Sequence, residues 1–305
     1  MNKLIAVIGP TGIGKTRLAI QLARKFQGEI INADSRQVYR HMDIGTAKPT
    51  AAELAAVPHH LVDIIEPNQE FSLAEYQRLT YNAVQDVQTR GSLPFLVGGS
   101  GLYVWAVLEG WVVPKVAPDT SYRQELEAQA EEGRADAIFE ELRRVDPAAA
   151  EKIDPRNVRR VIRALEVNKM SKTPFSQLQQ KQPPPYQNLI IGLTADRKAL
   201  YRRADERVDN MIKQGFTEEV SGLVKMGFTL DLPSMSSIGY REIGQYLQGG
   251  MTLDEAVYKI KTGTHRFIRH QYAWFRLKDE RIKWFDVDKT PGSGIEQIVE
   301  TFIKS

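Results

Sequence analysis

A phosphate-binding loop is predicted close to the start of the chain. Eight consecutive residues fit the pattern GxxxxGK[ST], and they are Gly9, Pro10, Thr11, Gly12, Ile13, Gly14, Lys15 and Thr16. The glycines let successive backbone N–H groups point into one concavity, the Lys15 ammonium adds a point charge, and the Thr16 hydroxyl suits Mg²⁺. The pattern indicates a site for a chain of phosphates. The alternative is a glycine-rich turn that binds nothing.

The residues around this loop argue against an ATP hydrolase or motor. Such proteins add a strand that ends in an acid, which holds Mg²⁺ through water. Here the apolar run Phe95–Val97 continues into Gly98-Gly99-Ser100, and Asp63 lies inside the run His60–Ile64 and not at its end.

Asp34 is a second residue placed for chemistry, because it directly follows the apolar run Glu29–Asn32. Ligands of open α/β sheets bind at the carboxyl ends of the strands, so Asp34 is expected to face the phosphate loop as a general base or a substrate anchor. The alternative is an N-cap for a following helix. The next three residues are Ser35, Arg36 and Gln37. With a nearby tyrosine they form a mixture suited to holding an extruded base.

The glycine cluster Gly98–Gly101 follows another apolar run and contains Ser100. Glycines permit a close approach of the backbone to a ligand, and Ser100 can offer its hydroxyl to the same ligand. A tight strand-to-helix turn is the alternative.

Arginines occur at helical spacing in two segments. The first set is Arg156, Arg159, Arg160 and Arg163, at i, i+3, i+4 and i+7, which on a helix gives one cationic face suited to a phosphate backbone. The alternative is a solvated face that pairs with acids such as Glu166. In the second set, Arg203 and Arg207 can reach a diphosphate as bidentate clamps, or pair with Asp205 and Glu206 at the surface. A third segment, His265–Arg276, mixes cations with aromatic residues, most of which helical spacing assigns to the core.

The elements that position these residues are predicted by apolar periodicity. Short β-branched runs alternate with helical segments, which indicates an α/β fold, a parallel sheet flanked by helices as in P-loop NTPases. The five predicted strands are Leu4–Ile8, Glu29–Asn32, His60–Ile64, Phe95–Val97 and Leu189–Leu193. A strand-poor, proline-bounded stretch predicts a helical domain inserted at 115–185, between core segments 1–114 and 186–305. Helices are expected almost to the end after Leu193.

Composition narrows the class of protein. The 305 residues contain no Cys, which excludes disulfides, thiolate metal sites and Cys nucleophiles, and 42% hydrophobic with 26% charged residues is typical of a soluble globular protein. No apolar stretch approaches the length of a membrane span or signal peptide, so a cytoplasmic protein without membrane contact is expected. The net charge is only +3, but residues 255–283 contain eight Lys or Arg against three acids, which indicates a polyanionic partner.

Seven segments of the chain resemble the tRNA dimethylallyltransferases, also called tRNA isopentenyltransferases. They are Gly9–Thr16, Asn32–Lys48, Pro58–Asp63, Val97–Tyr103, Asn157–Val167, Ser236–Glu242 and Arg269–Arg276. The resemblance extends over nearly the whole chain. It implies transfer of a dimethylallyl group from dimethylallyl diphosphate, with Mg²⁺, to N6 of the adenosine 3′ of the anticodon. The partners would be the anticodon stem-loop of tRNA and the prenyl donor, and we expect a monomer without an obligate protein partner.

The resemblance also implies roles for single residues. The loop Gly9–Thr16, with Arg203 and Arg207, would bind the diphosphate, and Thr16 would be the metal ligand. The catalytic residues would be Asp34, which accepts the N6 proton, Lys15 and Ser100. The tRNA contacts would be Asp34, Ser35, Arg36, Gln37, Ser100, Arg123, Arg159, Arg160, Val161, Ile162 and Arg163.

Two other functions fit parts of the pattern. A P-loop kinase for a small metabolite would use the phosphate loop for ATP and Asp34 to orient a hydroxyl, but leaves the arginine face and the insertion without a role. A nucleotide-switched RNA-binding protein would show no turnover.

Overall fold

The core of the protein is a parallel β-sheet. The computed structural model describes residues 2–114, 116, 119–171, 173–178, 180–182, 184–289 and 292–305. Within these residues the strands are β1 (Lys3–Ile8), β2 (Gly28–Asn32), β3 (His59–His60), β4 (Leu93–Gly98), β5 (Gln187–Thr194) and β6 (Ile282–Asp286). Their order across the sheet is β3-β2-β4-β1-β5-β6, and every neighbouring pair is parallel. The predicted α/β fold is confirmed.

The strands that read as continuous apolar runs are those buried on both faces. Residues Leu4 to Ile8 of β1 are fully buried, as the centre of a parallel sheet covered by helices requires. Two strand predictions were wrong. The run His60–Ile64 pairs only at its start, and Asp63 has a left-handed φ of 56° that a strand does not permit. β6 was missed because it is a partly exposed edge strand whose second residue is the exposed Lys283.

The first four helices alternate with strands β1 to β4 along the chain. They are α1 (Lys15–Lys25), α2 (Ala51–Ala56), α3 (Leu73–Thr89) and α4 (Gly101–Leu108). Of these, α1 and α3 pack against the sheet. α1 buries Ala19, Leu22 and Ala23, the i, i+3, i+4 stripe of an amphipathic helix. This packing holds the start of α1 at the end of β1.

The chain divides into two compact units, one of which is Glu109–Pro184, while the other comprises the residues up to Leu108 together with Pro185–Ser305. Unit Glu109–Pro184 consists of α5 (Thr120–Gln129), a π-type turn (Ala130–Arg134), α6 (Ala135–Val145), α7 (Pro147–Ala150), α8 (Val158–Met170) and α9 (Phe175–Leu178). It has its own apolar core, to which Leu142 and Leu165 belong. Two prolines that bound the predicted insertion, Pro118 and Pro183, lie outside the described residues.

The last part of the chain is mainly helical, as expected. Its helices are α10 (Arg197–Lys213), α11 (Phe216–Lys225), α12 (Tyr240–Leu247), α13 (Leu253–Trp274) and α14 (Gly292–Lys304). Capping boxes, in which a threonine side chain and a glutamate three residues later satisfy each other's backbone N–H groups, start α2 at Thr50 and α13 at Thr252. None of the helices described is both long and apolar enough to span a bilayer.

Candidate active site

Three loops meet at the carboxyl edge of the sheet, because β1, β2 and β4 are neighbours and end in register. Ile8 pairs with Gly98, and Asn32 pairs with Val97. The approach is so close that a Cβ added to Gly98 would lie 2.1 Å from the carbonyl oxygen of Ala33. The glycine of β4 thus allows the loop after β2 to lie against the end of β4.

The phosphate loop, Gly9–Thr16, leads directly into α1. The N-cap of α1 is Gly14, in a left-handed conformation with φ 94°, and no side chain caps the helix. The first turn contains no acid, so its N–H groups and the positive end of the helix dipole are open to an anion. Gly9 has φ 144°, and a Cβ there would lie 2.6 Å from the Leu193 carbonyl oxygen. The loop geometry therefore depends on glycine at both ends.

Two half-buried cations lie at this loop. Lys15 Nζ donates to the Pro10 carbonyl (2.9 Å), and Arg207 Nη1 of α10 donates to Thr11 Oγ1 (3.2 Å). Burial lowers the pKa of Lys15 to about 8; the negative charge of Asp34 opposes this shift and the positive charge of Arg207 adds to it. Burial likewise lowers the pKa of Arg207, and Asp34 again opposes the shift. Two desolvated cations and one carboxylate thus lie within electrostatic reach of one another.

Arg203 does not share this environment. Its guanidinium contacts Asp288, beyond the end of β6, so of the two predicted clamps it is Arg207 whose side chain contacts the phosphate loop. The alternative pairings of these arginines are not observed either. Asp205 accepts from His265 (2.8 Å), and Glu206 lies 3.9 Å from Arg202.

Asp34 is held in a defined orientation by the end of β2. Asn32 Oδ1 accepts from the Asp34 N–H (3.0 Å), while Asn32 Nδ2 donates to the carbonyls of Asp34 (3.1 Å) and Leu61 (3.0 Å). Asp34 Oδ1 accepts from the N–H of Arg36 (2.9 Å), which makes a turn. No helix begins here, so Asp34 is not an N-cap. The carboxylate is fixed by one oxygen, and no hydrogen bond within the described residues uses Oδ2.

Ser100 joins the two loops that follow β2 and β4. Its Oγ accepts from the Ser35 N–H (2.9 Å) and lies 3.2 Å from Ser35 Oγ, and its own N–H donates to the Ala33 carbonyl (3.2 Å). The glycines beside it have packing reasons, since a Cβ on Gly101 would lie 2.3 Å from the Trp274 side chain. The cluster is therefore a tight strand-to-helix turn, and it places a hydroxyl next to the Asp34 turn.

The next two predicted tRNA contacts have partners within the protein. Arg36 Nη1 donates to the Pro233 carbonyl (2.9 Å), and Gln37 Nε2 donates to the carbonyls of Thr46 (3.2 Å) and Ala47 (3.0 Å). These bonds define the shape of the loop between residues 34 and 48.

Two residues that support this loop were missed by the sequence analysis. The Glu219 carboxylate of α11 accepts from three consecutive N–H groups, those of Asp43 (2.9 Å), Ile44 (2.6 Å) and Gly45 (3.2 Å). Lys48 Nζ, whose side chain is only 4% exposed, contacts the carboxylates of Asp43 and Asp63. Spacing gave no signal for Glu219, because its partners lie more than 170 positions away.

Within the unit Glu109–Pro184, two of the predicted tRNA-binding arginines, Arg123 and Arg163, converge on one acid. Glu166 is fully buried and accepts from Arg123 Nε (2.8 Å), Arg123 Nη2 (2.9 Å), Arg163 and the Asp119 N–H (2.7 Å). Burial alone would raise the pKa of Glu166, but the hydrogen bonds from Arg123 and Arg163 outweigh it and hold the pKa below its usual value.

The other members of the predicted tRNA-binding segment divide by exposure. Arg159 and Arg160 are exposed, and the described part of the chain provides no carboxylate partner for either. Arg156 precedes α8 and pairs with Asp154 (2.7 Å), so it does not extend the helical face as predicted. Val161 and Ile162 are each 2% exposed in the core of the unit. Their side chains are therefore not available to contact an RNA, although the whole segment was predicted as a tRNA contact.

The donor set at the phosphate loop fits a magnesium ion shared with phosphates. The residues described include no cluster of three or more acidic or imidazole side chains that could hold a metal by itself. Thr16 lies in the uncapped first turn of α1 and offers one hard oxygen. Mg²⁺ bound by few protein oxygens and several phosphate oxygens matches this set.

Comparisons with known proteins give consistent results. A family model described as IPP transferase matches residues 37–278. A tRNA dimethylallyltransferase of Roseiflexus sp. (strain RS-1) is 55% identical over 276 residues, which is 90% of each chain. The structure of the tRNA isopentenylpyrophosphate transferase from Bacillus halodurans matches with a TM-score of 0.73 and 42% identity, over 100% of this chain and 96% of that one. A eukaryotic dimethylallyltransferase acting on tRNA matches with a TM-score of 0.82 and 28% identity, over 100% and 80%.

Proposed function

The chain belongs to the IPP transferase family, and from this premise we propose that its phosphate loop binds the diphosphate of dimethylallyl diphosphate while Asp34 receives a proton from the acceptor amine. The protein is a prenyltransferase that modifies tRNA. One observation carries the proposal for the site. Lys15, Arg207 and the uncapped start of α1 meet at a single loop, both cations are half-buried, and the Asp34 carboxylate lies within electrostatic reach.

This arrangement suits departure of a diphosphate. The bond between C1 of the allyl group and the diphosphate oxygen breaks, and the electron pair leaves with pyrophosphate. Lys15, Arg207 and the loop N–H groups stabilise the charge that develops on that oxygen. A site that excludes water strengthens these interactions because its effective dielectric constant is low. The protein groups are also oriented before the reaction begins, so no reorganisation is needed.

The acceptor supplies the second half of the reaction. We propose N6 of the adenosine 3′ of the anticodon, whose nitrogen forms the new bond to C1 while its proton moves to Asp34. A positioned general base typically contributes about 10²–10⁴-fold to the rate. The bonds from Asn32 and to Arg36 N–H fix the Asp34 carboxyl group before the base arrives.

We further propose that Mg²⁺ binds at the phosphate loop together with the diphosphate. Bound by the Thr16 hydroxyl and phosphate oxygens, it would neutralise charge on the leaving group. Residues Ser35, Arg36, Gln37 and Ser100 line the loops next to Asp34 and are proposed to surround the acceptor nucleotide. Arg159 and Arg160 are proposed to contact the tRNA backbone. We also predict that the protein is cytoplasmic and monomeric.

The kinase alternative gains no support, because the matching family and relatives are named for transfer of an isoprenoid group to tRNA. The proposal is tested by incubating the protein with unmodified tRNA, dimethylallyl diphosphate and Mg²⁺, and by analysing the digested nucleosides by mass spectrometry. The expected result is an adenosine heavier by one dimethylallyl group at the position 3′ of the anticodon. Phosphoryl transfer from ATP with no modified nucleoside would contradict it.

A further inference from the structure

Gln271 of α13 is a buried polar residue that touches two loops of the active site. It is 2% exposed. Its Oε1 accepts from the N–H of Thr11 (2.9 Å), and its Nε2 donates to the carbonyl of Gly99 (3.0 Å). A buried side-chain amide needs partners for both of its ends, and here both partners are backbone groups.

Each of these bonds fixes the plane of one peptide unit. In a trans peptide the carbonyl and the N–H point in opposite directions. The N–H of the Pro10–Thr11 peptide points to Gln271, so its carbonyl points the other way and accepts from Lys15 Nζ (2.9 Å). The orientation of this peptide therefore determines where the Lys15 ammonium lies.

The same reasoning applies to the Gly99–Ser100 peptide. Its carbonyl accepts from Gln271, and its N–H donates to the carbonyl of Ala33 (3.2 Å), the residue before Asp34. A Cβ at position 99 would lie 2.3 Å from Gln271 Nε2, so a side chain there would displace the Gln271 amide. One side-chain amide thus connects the loop that contains Lys15, the cation proposed to bind the diphosphate, to the loop that supports the general base.

We propose that Gln271 is a positioning residue for prenyl transfer, which sets the orientation of the Pro10–Thr11 and Gly99–Ser100 peptides and through them the places of Lys15 and Ser100. This inference rests on the proposed diphosphate site. Gln271 itself touches neither substrate in this account. Its effect is expected in the binding of the prenyl donor and in turnover, not in the affinity for tRNA.

The variant Gln271→Met keeps the length of the side chain and removes both hydrogen bonds. We expect the KM for dimethylallyl diphosphate to rise by at least about tenfold, equivalent to about 1.4 kcal/mol, and kcat to fall, with an unchanged Kd for tRNA. The matched control is Ile260→Val, on the same helix and 3% exposed, which lowers stability in a core cluster that contains no residue of either loop. An unchanged donor KM in folded Gln271→Met would overturn the proposal and leave the proposed function intact.

A measurement on the unaltered protein tests the same claim independently of whether the variant folds. Amide hydrogen exchange without ligand should be slower at Thr11 than at Gly12 and Gly14, whose N–H groups make no backbone hydrogen bond within the described residues. Exchange at Thr11 as fast as at these glycines would mean that Gln271 does not hold the peptide. Absence of any prenylated tRNA would instead refute the proposed function.

Discussion

The active-site edge of the sheet and helix α8 both contain clustered cations, but the two regions differ in whether buried carboxylates pair with these cations. In the unit Glu109–Pro184, Arg123 and Arg163 converge on the buried Glu166. At the edge of the sheet, no salt bridge between described residues involves Lys15 or Arg207, although both are half-buried at the phosphate loop. The negative charge of Asp34 acts on both without forming a salt bridge to either.

The difference separates charges that stabilise a fold from charges that serve a ligand. A buried charge is costly unless it is paired and hydrogen-bonded, and Glu166 meets that requirement with two arginines and a backbone N–H. Among the described residues the hydrogen-bond partner of Lys15 Nζ is a carbonyl and not a carboxylate, and burial lowers the pKa of Lys15 to about 8. An anionic ligand would remove this cost, and perturbed groups of this kind are typical of functional sites.

The largest effect is expected at Asp34. Asp34→Asn keeps the shape of the turn and removes the proton acceptor, so kcat should fall by at least about 100-fold while the Kd for tRNA stays nearly constant. Steady-state kinetics and tRNA binding measure the two quantities. The control is Asp86→Asn on the exposed face of α3, which should behave as the unaltered protein. A normal kcat for Asp34→Asn would remove Asp34 from the mechanism.

Glu166→Gln tests whether the buried ion cluster around α8 stabilises the fold. The substitution leaves Arg123 and Arg163 without their carboxylate, and because both are partly exposed, water compensates in part. We expect the free energy of unfolding to fall by about 1–3 kcal/mol, measured by denaturant titration, with no change in the donor KM. Glu140→Gln, which removes an exposed pair with Arg143, serves as the control and should change stability little. Equal stabilities of the two variants would show that the buried cluster is not structural.

The pH dependence of donor binding tests whether the charge of Lys15 binds the diphosphate. As the pH rises through about 8, Lys15 loses its charge in the free protein, and the diphosphate binds the charged form. The donor KM should therefore be flat below this pH and rise above it by up to about tenfold per pH unit, the limit for one proton. Lys15→Arg keeps the charge, so its profile should stay flat. A rise of equal size in Lys15→Arg would assign the titration to another group.

The smallest effect is expected from the exposed arginines. Replacing Arg159 and Arg160 together by Gln should reduce the salt slope of tRNA binding by up to about two, at roughly 0.7–0.9 per lost phosphate contact. Arg163→Gln should leave the slope nearly unchanged because Glu166 already occupies its guanidinium. Identical slopes for the double variant and the unaltered protein would mean that these arginines form a solvated surface and do not contact tRNA phosphates.

The sequence predicted the parts of the site that depend on short-range signals. GxxxxGKT defines the phosphate loop locally, and the position of Asp34 follows from the strand before it and from the parallel topology. The strong apolar runs also predicted β1, β2, β4 and β5, whereas the run His60–Ile64 was wrong beyond its first residue and β6 was missed because an edge strand buries only part of its surface.

The residues that the sequence did not predict are those whose roles depend on distant partners. Gln271 and Glu219 are ordinary polar residues of helices until the fold brings them against loops more than 170 positions away. The pairing of Arg163 with Glu166 was foreseen as an alternative because the two lie three positions apart. The pairing of Arg123 with the same acid was not, since 43 positions separate them. Spacing records neighbours on one helix and contains no information on contacts between helices.

The central claim is that the phosphate loop holds a departing pyrophosphate next to the general base. A crystal structure with an anticodon stem-loop and an unreactive thio-analogue of dimethylallyl diphosphate tests it most directly. We predict diphosphate density within hydrogen-bond distance of Lys15 and the first-turn N–H groups of α1, and Asp34 within hydrogen-bond distance of the adenine N6. Density for the analogue elsewhere, with a nucleoside triphosphate occupying Gly9–Thr16 instead, would contradict the account.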